Sequence, residues 1–135
     1  MTQNSQILLF YPMFAHVLLA AALYALLTFA RAPAVWGIGR RKDGSNPFES
    51  IEAKISANLT NQFEWPLFFY AICILVISSG IEVNHLYVWL AWLFIAGRII
   101  HSVIHIFTNN VRLRGVVFTI NFVAVLMMWV VYMLQ

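Results

Sequence analysis

Charge is what this sequence has least of. Only 10% of its 135 residues are Asp, Glu, Lys or Arg, against roughly a quarter in an ordinary soluble domain. So few charges cannot cover a water-facing surface. With 62% hydrophobic residues and a mean hydropathy of +0.82, the chain is a membrane protein of one domain. Cysteine is almost missing as well. The lone Cys73 excludes an internal disulfide, and its place between Ile72 and Ile74 marks it as an inert core thiol. Acid is scarcer than base, five residues against eight, for a net charge of +3. The basic residues flank or enter apolar segments and form no exposed stripe interleaved with aromatics, which argues against a nucleic-acid partner.

What is present is long apolar sequence. Four stretches are near the ~20 residues needed to cross a bilayer: about 7–30, a second ending near 80, 85–107 and 116–134. The first has no basic residue before it and too long a core for a cleaved signal peptide. The second starts early. Asn46-Pro47-Phe48-Glu49 offers a cap, a proline at the first helical position and an acid in the first turn. From there Phe48, Ile51, Ile55, Leu59 and Phe63 recur every three or four residues. A helix over 47–80 is therefore expected, about 50 Å long and longer than the hydrocarbon layer. Pro66 should leave the Gln62 carbonyl without its helical donor and bend the helix there.

All eight Lys and Arg residues lie on one side of this pattern. Arg31, Arg40, Arg41, Lys42 and Lys54 fall between spans one and two, Arg112 and Arg114 between three and four, and Arg98 in the half of span three nearest that loop. Loops rich in Lys and Arg stay cytoplasmic, so both termini are expected outside.

Polar residues inside the spans gather at the same depth. Helix two carries Ser50, Lys54, Asn61 and Glu64 opposite its apolar stripe. Helix three carries Arg98, His101, Ser102, His105 and Asn109 within an arc of about 100°, and helix four aligns Arg114 with Asn121. Glu64, at the head of NQFEWPLFF, is thus expected to meet Arg98, His101 or Arg114 across a helix interface. Ionisable groups at membrane depth are functional candidates, although polar contacts also simply join membrane helices. His101 and His105 are four apart, as metal or haem ligands can be, but the same spacing arises on any polar helical face. No Cys lies nearby, and no metal site is assigned. His16, in span one, is read as a satisfied packing residue.

Taken in order, Asn61-Gln62-Phe63-Glu64 with Pro66 close behind, Arg98-Ile99-Ile100-His101-Ser102, and Arg112-Leu113-Arg114 resemble the MAPEG family, the membrane-associated proteins of eicosanoid and glutathione metabolism. The resemblance spans nearly the whole chain. It implies an all-α integral membrane fold, a four-transmembrane-helix bundle assembled as a homotrimer, with sites between subunits on the cytoplasmic side. It also implies glutathione as co-substrate and a lipophilic small molecule arriving through membrane lipid. Carried over by position, Asn61, Glu64, Arg98, His101, His105 and Arg114 would bind glutathione. Arg114 would stabilise its thiolate, with Arg98 or Arg31 as charge or proton partner for the second substrate.

Three positions depart from the family pattern: Thr60 where a basic residue is common, His105 where Tyr is frequent, and Gly115 where some members carry Ser. The reading is a glutathione transferase or peroxidase acting on lipophilic electrophiles or lipid hydroperoxides. A non-catalytic lipid-binding member of the same fold is the alternative, and a small proton-coupled exporter using Glu64 comes third. A bacterial inner membrane is favoured over the endoplasmic reticulum.

Overall fold

In hydrocarbon each backbone N–H and C=O must be bonded within the chain, so a lone apolar run of this length has one option, the helix. The computed structural model describes residues 2–135, and among them every regular element is helical. Helix α1 spans Thr2–Trp36, α2 Glu49–Asn61, α3 Pro66–Ser78, α4 His85–Phe107 and α5 Val111–Met133. Taking α2 and α3 together, four of these runs are long and apolar enough to cross a membrane.

The second run is not one continuous helix. Gln62 N and Phe63 N bond back only three residues, to Leu59 O and Thr60 O, at 3.0 Å each, and Leu67 N repeats the tight pattern to Glu64 O at 3.2 Å. Pro66 then opens α3, where its missing N–H costs nothing. The interruption therefore covers 62–65, a longer break than a bend at Pro66. The start also differs from expectation. The α2 helix begins at Glu49 behind an uncapped Phe48, because Asn46 is engaged elsewhere. Its Oδ1 accepts from Phe48 N at 2.9 Å, and its Nδ2 donates to Ala30 O at 3.0 Å. Asn46 thus pins the 37–48 loop to the end of α1. There Arg40 donates to the carbonyls of Pro33 (3.0 Å) and Ala34 (3.2 Å), which the helix end leaves open. The turns on either side of α4 are fixed similarly: Asn84 Oδ1 accepts from Tyr87 N at 3.2 Å and Asn110 Oδ1 from Leu113 N at 3.0 Å.

Two apolar clusters hold the bundle. One packs Phe69, Ile72, Val76, Tyr87, Phe94 and Met128. The other packs Leu23, Leu27, Ile55, Leu59 and Ile106 nearer the basic loops. The buried polar residues His16, Asn58, Gln62, Arg98, His101, Ser102 and Asn121 complete the interior. The expected stripe on helix two is corrected here: Phe48 and Phe63 are exposed, and Asn58 and Gln62 are buried instead.

Helices α4 and α5 form the most extensive pair, and they run antiparallel. Gly97 lies against Asn121, His101 against Phe118 with ring centroids 6.2 Å apart, and His105 shares a cavity with Arg114. Glycine is required at 97. A Cβ there would overlap the Asn121 carboxamide oxygen. Gly97→Ala is expected to destabilise the protein by about 1–3 kcal/mol, the usual cost of overpacking. Denaturation in mixed micelles measures this, and adding Asn121→Ala should restore most of the loss. No rescue would mean that the contact is not what requires glycine.

Candidate functional site

The site begins with Arg98, which is fully buried and has no carboxylate within ion-pair distance. What holds it is the break in the second run. With the 62–65 segment out of helical register, the Asn61 carbonyl faces Arg98, whose Nη2 donates to it at 3.0 Å while Nε donates to Gln62 Oε1 at 3.1 Å. A guanidinium at the C-terminus of α2 meets both an open carbonyl and the negative end of the helix dipole. The carbonyl that receives the charge is Asn61, not Gln62 as the proline rule alone predicts.

Gln62 is the hub of the layer. Its Nε2 donates to Asn58 Oδ1 at 2.8 Å and to Ser102 Oγ at 3.2 Å. With its amide so oriented, Oε1 accepts from both Arg98 and His16 Nε2, the latter at 3.0 Å, so His16 Nε2 carries a hydrogen. His16 Nδ1 lies 2.9 Å and Met13 O 3.1 Å from Tyr70 Oη, so the one hydroxyl hydrogen is shared between these two acceptors. One network thus joins α1, α2, α3 and α4. His16 is a bonded packing residue, as the sequence reading expects. Gln62 and Asn58 were missed there. Their signal is two amides four residues apart beside Leu59, which carry no charge and so do not mark themselves as membrane-buried ionisable groups do.

Beside this layer lies a cavity of about 290 Å³ lined by Asn61, His101, His105, Arg114, Gly115 and Phe118. His101 is buried, and neither ring nitrogen has a well-formed hydrogen bond, although the Arg114 backbone approaches it. His105 Nδ1 and Arg98 Nη1 are likewise buried without partners. The two imidazoles meet edge to face with centroids 5.7 Å apart. Buried polar atoms are nearly always bonded, so the open imidazole nitrogens in this cavity call for an occupant. No carboxylate lines it, and the occupant that suits Arg114 and two imidazoles is anionic. Among the described residues no cluster of three His, Cys, Asp or Glu side chains offers a metal site.

The structure brings together Asn61, His101, His105 and Arg114 in this cavity, with Arg98 directly behind Asn61. It does not bring in Glu64 or Arg31. Glu64 is exposed and forms no ion pair. Asn61 O and Gln62 Oε1 meet two of the three guanidinium nitrogens of Arg98, and Glu64 stays beyond hydrogen-bond reach of the third. The expected Glu64 contact with Arg98, His101 or Arg114 is therefore absent within the chain. Arg31 pairs instead with Glu52 at 2.8 Å, tying α1 to α2. A separate groove of about 410 Å³, mostly apolar, opens between α1 and the second run, with His16, Tyr24, Gln62, Phe63, Leu67 and Tyr70 along its walls.

Comparison with family models matches the MAPEG family over residues 9–134. The chain belongs to the MAPEG family. Comparison with curated proteins and with solved structures returns no match. Membership accounts for the architecture: MAPEG proteins are four-helix membrane bundles, and this one is an integral, multi-pass membrane protein tied to glutathione or eicosanoid metabolism. In this MAPEG chain the polar positions quoted for the resemblance fall on two structural levels. Asn61, His101 and Arg114 line the cavity, whereas Arg98 with Gln62 forms the buried layer behind Asn61.

Proposed function

We propose that this MAPEG protein is a glutathione-dependent transferase or peroxidase acting on lipophilic electrophiles or lipid hydroperoxides. The observation that carries the reading is the carboxylate-free cavity in which Arg114 stands beside two imidazoles with unpartnered nitrogens. Arg114 is half-buried and forms no ion pair, so its charge is available to a thiolate. A guanidinium stays protonated throughout the useful pH range and lowers the pKa of a thiol beside it. In the transferase step the glutathione thiol gives up its proton to solvent. The thiolate sulfur then attacks the electrophilic carbon, the C–S bond forms, and the leaving group departs with its electron pair. Asn61, His101 and His105 orient the peptide.

The apolar groove beside Gln62 supports a lipophilic second substrate arriving through the bilayer. Glu64 and Arg31, both outside the cavity of a single chain, support a homotrimer whose neighbouring subunits complete each site. The Lys- and Arg-rich loops support a cytoplasmic site with both termini outside, in a bacterial inner membrane. The same two outlying residues favour the second reading, a lipid-binding member without chemistry.

Calorimetric titration of glutathione into the detergent-purified protein separates the two. Saturable binding that Glu64→Gln and Arg114→Ala both weaken supports the enzyme. Absence of binding at millimolar glutathione, with the assembly intact, rejects it.

A further inference from the structure

The cavity does not end at His105. A second chamber of about 160 Å³ shares His105, Val111 and Arg114 with the first, and its remaining wall is built by Lys54, Thr108, Asn109 and Asn110. Lys54 reaches across from α2, where its Nζ donates to Asn109 Oδ1 at 2.7 Å and to Thr108 O at the longer 3.5 Å. The 23-residue helix α5 starts on the same wall, at Val111, and its N-terminus adds partial positive charge there. Three cationic or protonatable side chains and a helix N-terminus thus converge, with no carboxylate lining either chamber. His105, which lines both chambers, has its Nδ1 buried without a partner, a sign that a ligand belongs there.

We propose that the outer chamber is a phosphate-binding subsite, held by Lys54, His105 and Arg114. The donors decide between anions. A carboxylate has two oxygens in one plane. An ammonium, a forked guanidinium and an imidazole approach from different directions, which suits the tetrahedrally arranged oxygens of a phosphate. Lys54 is the movable element. It turns from the neutral Asn109 carboxamide onto the phosphate, exchanging an ordinary hydrogen bond for a charge-assisted one. The chamber's rim carries Val111, 64% exposed, with Ile104 in the wall beside it, so the subsite sits where apolar surface meets polar side chains. That rim favours the headgroup phosphate of a phospholipid over free phosphate. The subsite goes beyond the glutathione reading, since Lys54 and Asn109 have no part in that reading.

Two arms test it on the whole protein. Inorganic phosphate is titrated in detergent with phosphorus-31 line width as the readout. In parallel, the protein is purified from vesicles of phosphatidylcholine with and without phosphatidic acid, and the retained lipid is counted by native mass spectrometry. Lys54→Ala is expected to weaken binding about tenfold, the equivalent of one charge-assisted bond. Asn109→Asp should do the same while keeping the Lys54 tether, because the new carboxylate neutralises the chamber. Lys54-dependent binding in the lipid arm alone, or tighter there, identifies a headgroup. Lys54-dependent binding of inorganic phosphate alone identifies free phosphate. Absence of binding in both arms, or binding that neither substitution changes, overturns the proposal.

Discussion

Arg114→Ala is expected to lower glutathione turnover with an activated aryl halide by about 10²–10³-fold, the scale seen when one preorganised charge-stabilising donor is removed. A free thiol has a pKa of about 8.5, so only a few per cent of it is ionised near pH 7. A guanidinium beside it shifts that balance toward thiolate, and the gain disappears with the side chain. The pH profile is the sharper readout. Wild-type rates should be nearly flat above neutrality, because the bound thiol is already ionised, whereas Arg114→Ala rates should climb through the free-thiol range. Arg114→Lys should recover part of the loss, since it restores charge but not the planar fork. The fold should survive each change, because Arg114 is half-buried and makes no ion pair among the described residues. A variant with unchanged rate and profile would remove Arg114 from the chemistry.

The membrane class and the helical bundle were legible because they depend on composition and run length, which a sequence states directly. His101 and Arg114 were legible because charge at membrane depth is rare enough to stand out. What stayed hidden was geometry at the break. A proline predicts a lost donor four residues back, yet the 62–65 segment loosens as a unit, and the carbonyl that Arg98 finds is that of Asn61. This also explains why Glu64 misled. A carboxylate near a buried arginine suggests an ion pair, but here a neutral amide and a carbonyl take its Nε and Nη2, and the acid remains exposed. Neutral acceptors such as Gln62 carry no charge to attract attention, and their importance appears only when their partners are placed. Arg31 shows the opposite case. Its charge was visible, but its partner Glu52 lies on a segment that only the 37–48 loop brings into reach.

If Gln62 is the hub, its removal should cost more than removal of the charge it helps to hold. Gln62→Leu strips Arg98 of its Nε acceptor and His16 of its Nε2 acceptor, and it removes the amide donor to Ser102 Oγ and to Asn58 Oδ1, which keeps only the Ser102 hydroxyl. Breaking one side of a buried charged contact typically costs about 3–5 kcal/mol, because the cation stays buried and unmet. Arg98→Met removes the cation itself together with its need for a partner. It loses the cap on Asn61 O and should cost only about 1–2 kcal/mol. The double variant should then be less destabilised than the sum of the two, by at least about 1 kcal/mol. Denaturation in mixed micelles of all four proteins measures the cycle. Simple additivity would show that Gln62 and Arg98 act separately, and the placing of Asn61 beside the cavity would need another explanation. Strong coupling would mean that the arginine most visible in the sequence serves first to fix the broken helix against α4, setting Asn61 at the edge of the cavity where Arg114 and the two histidines wait for an anion.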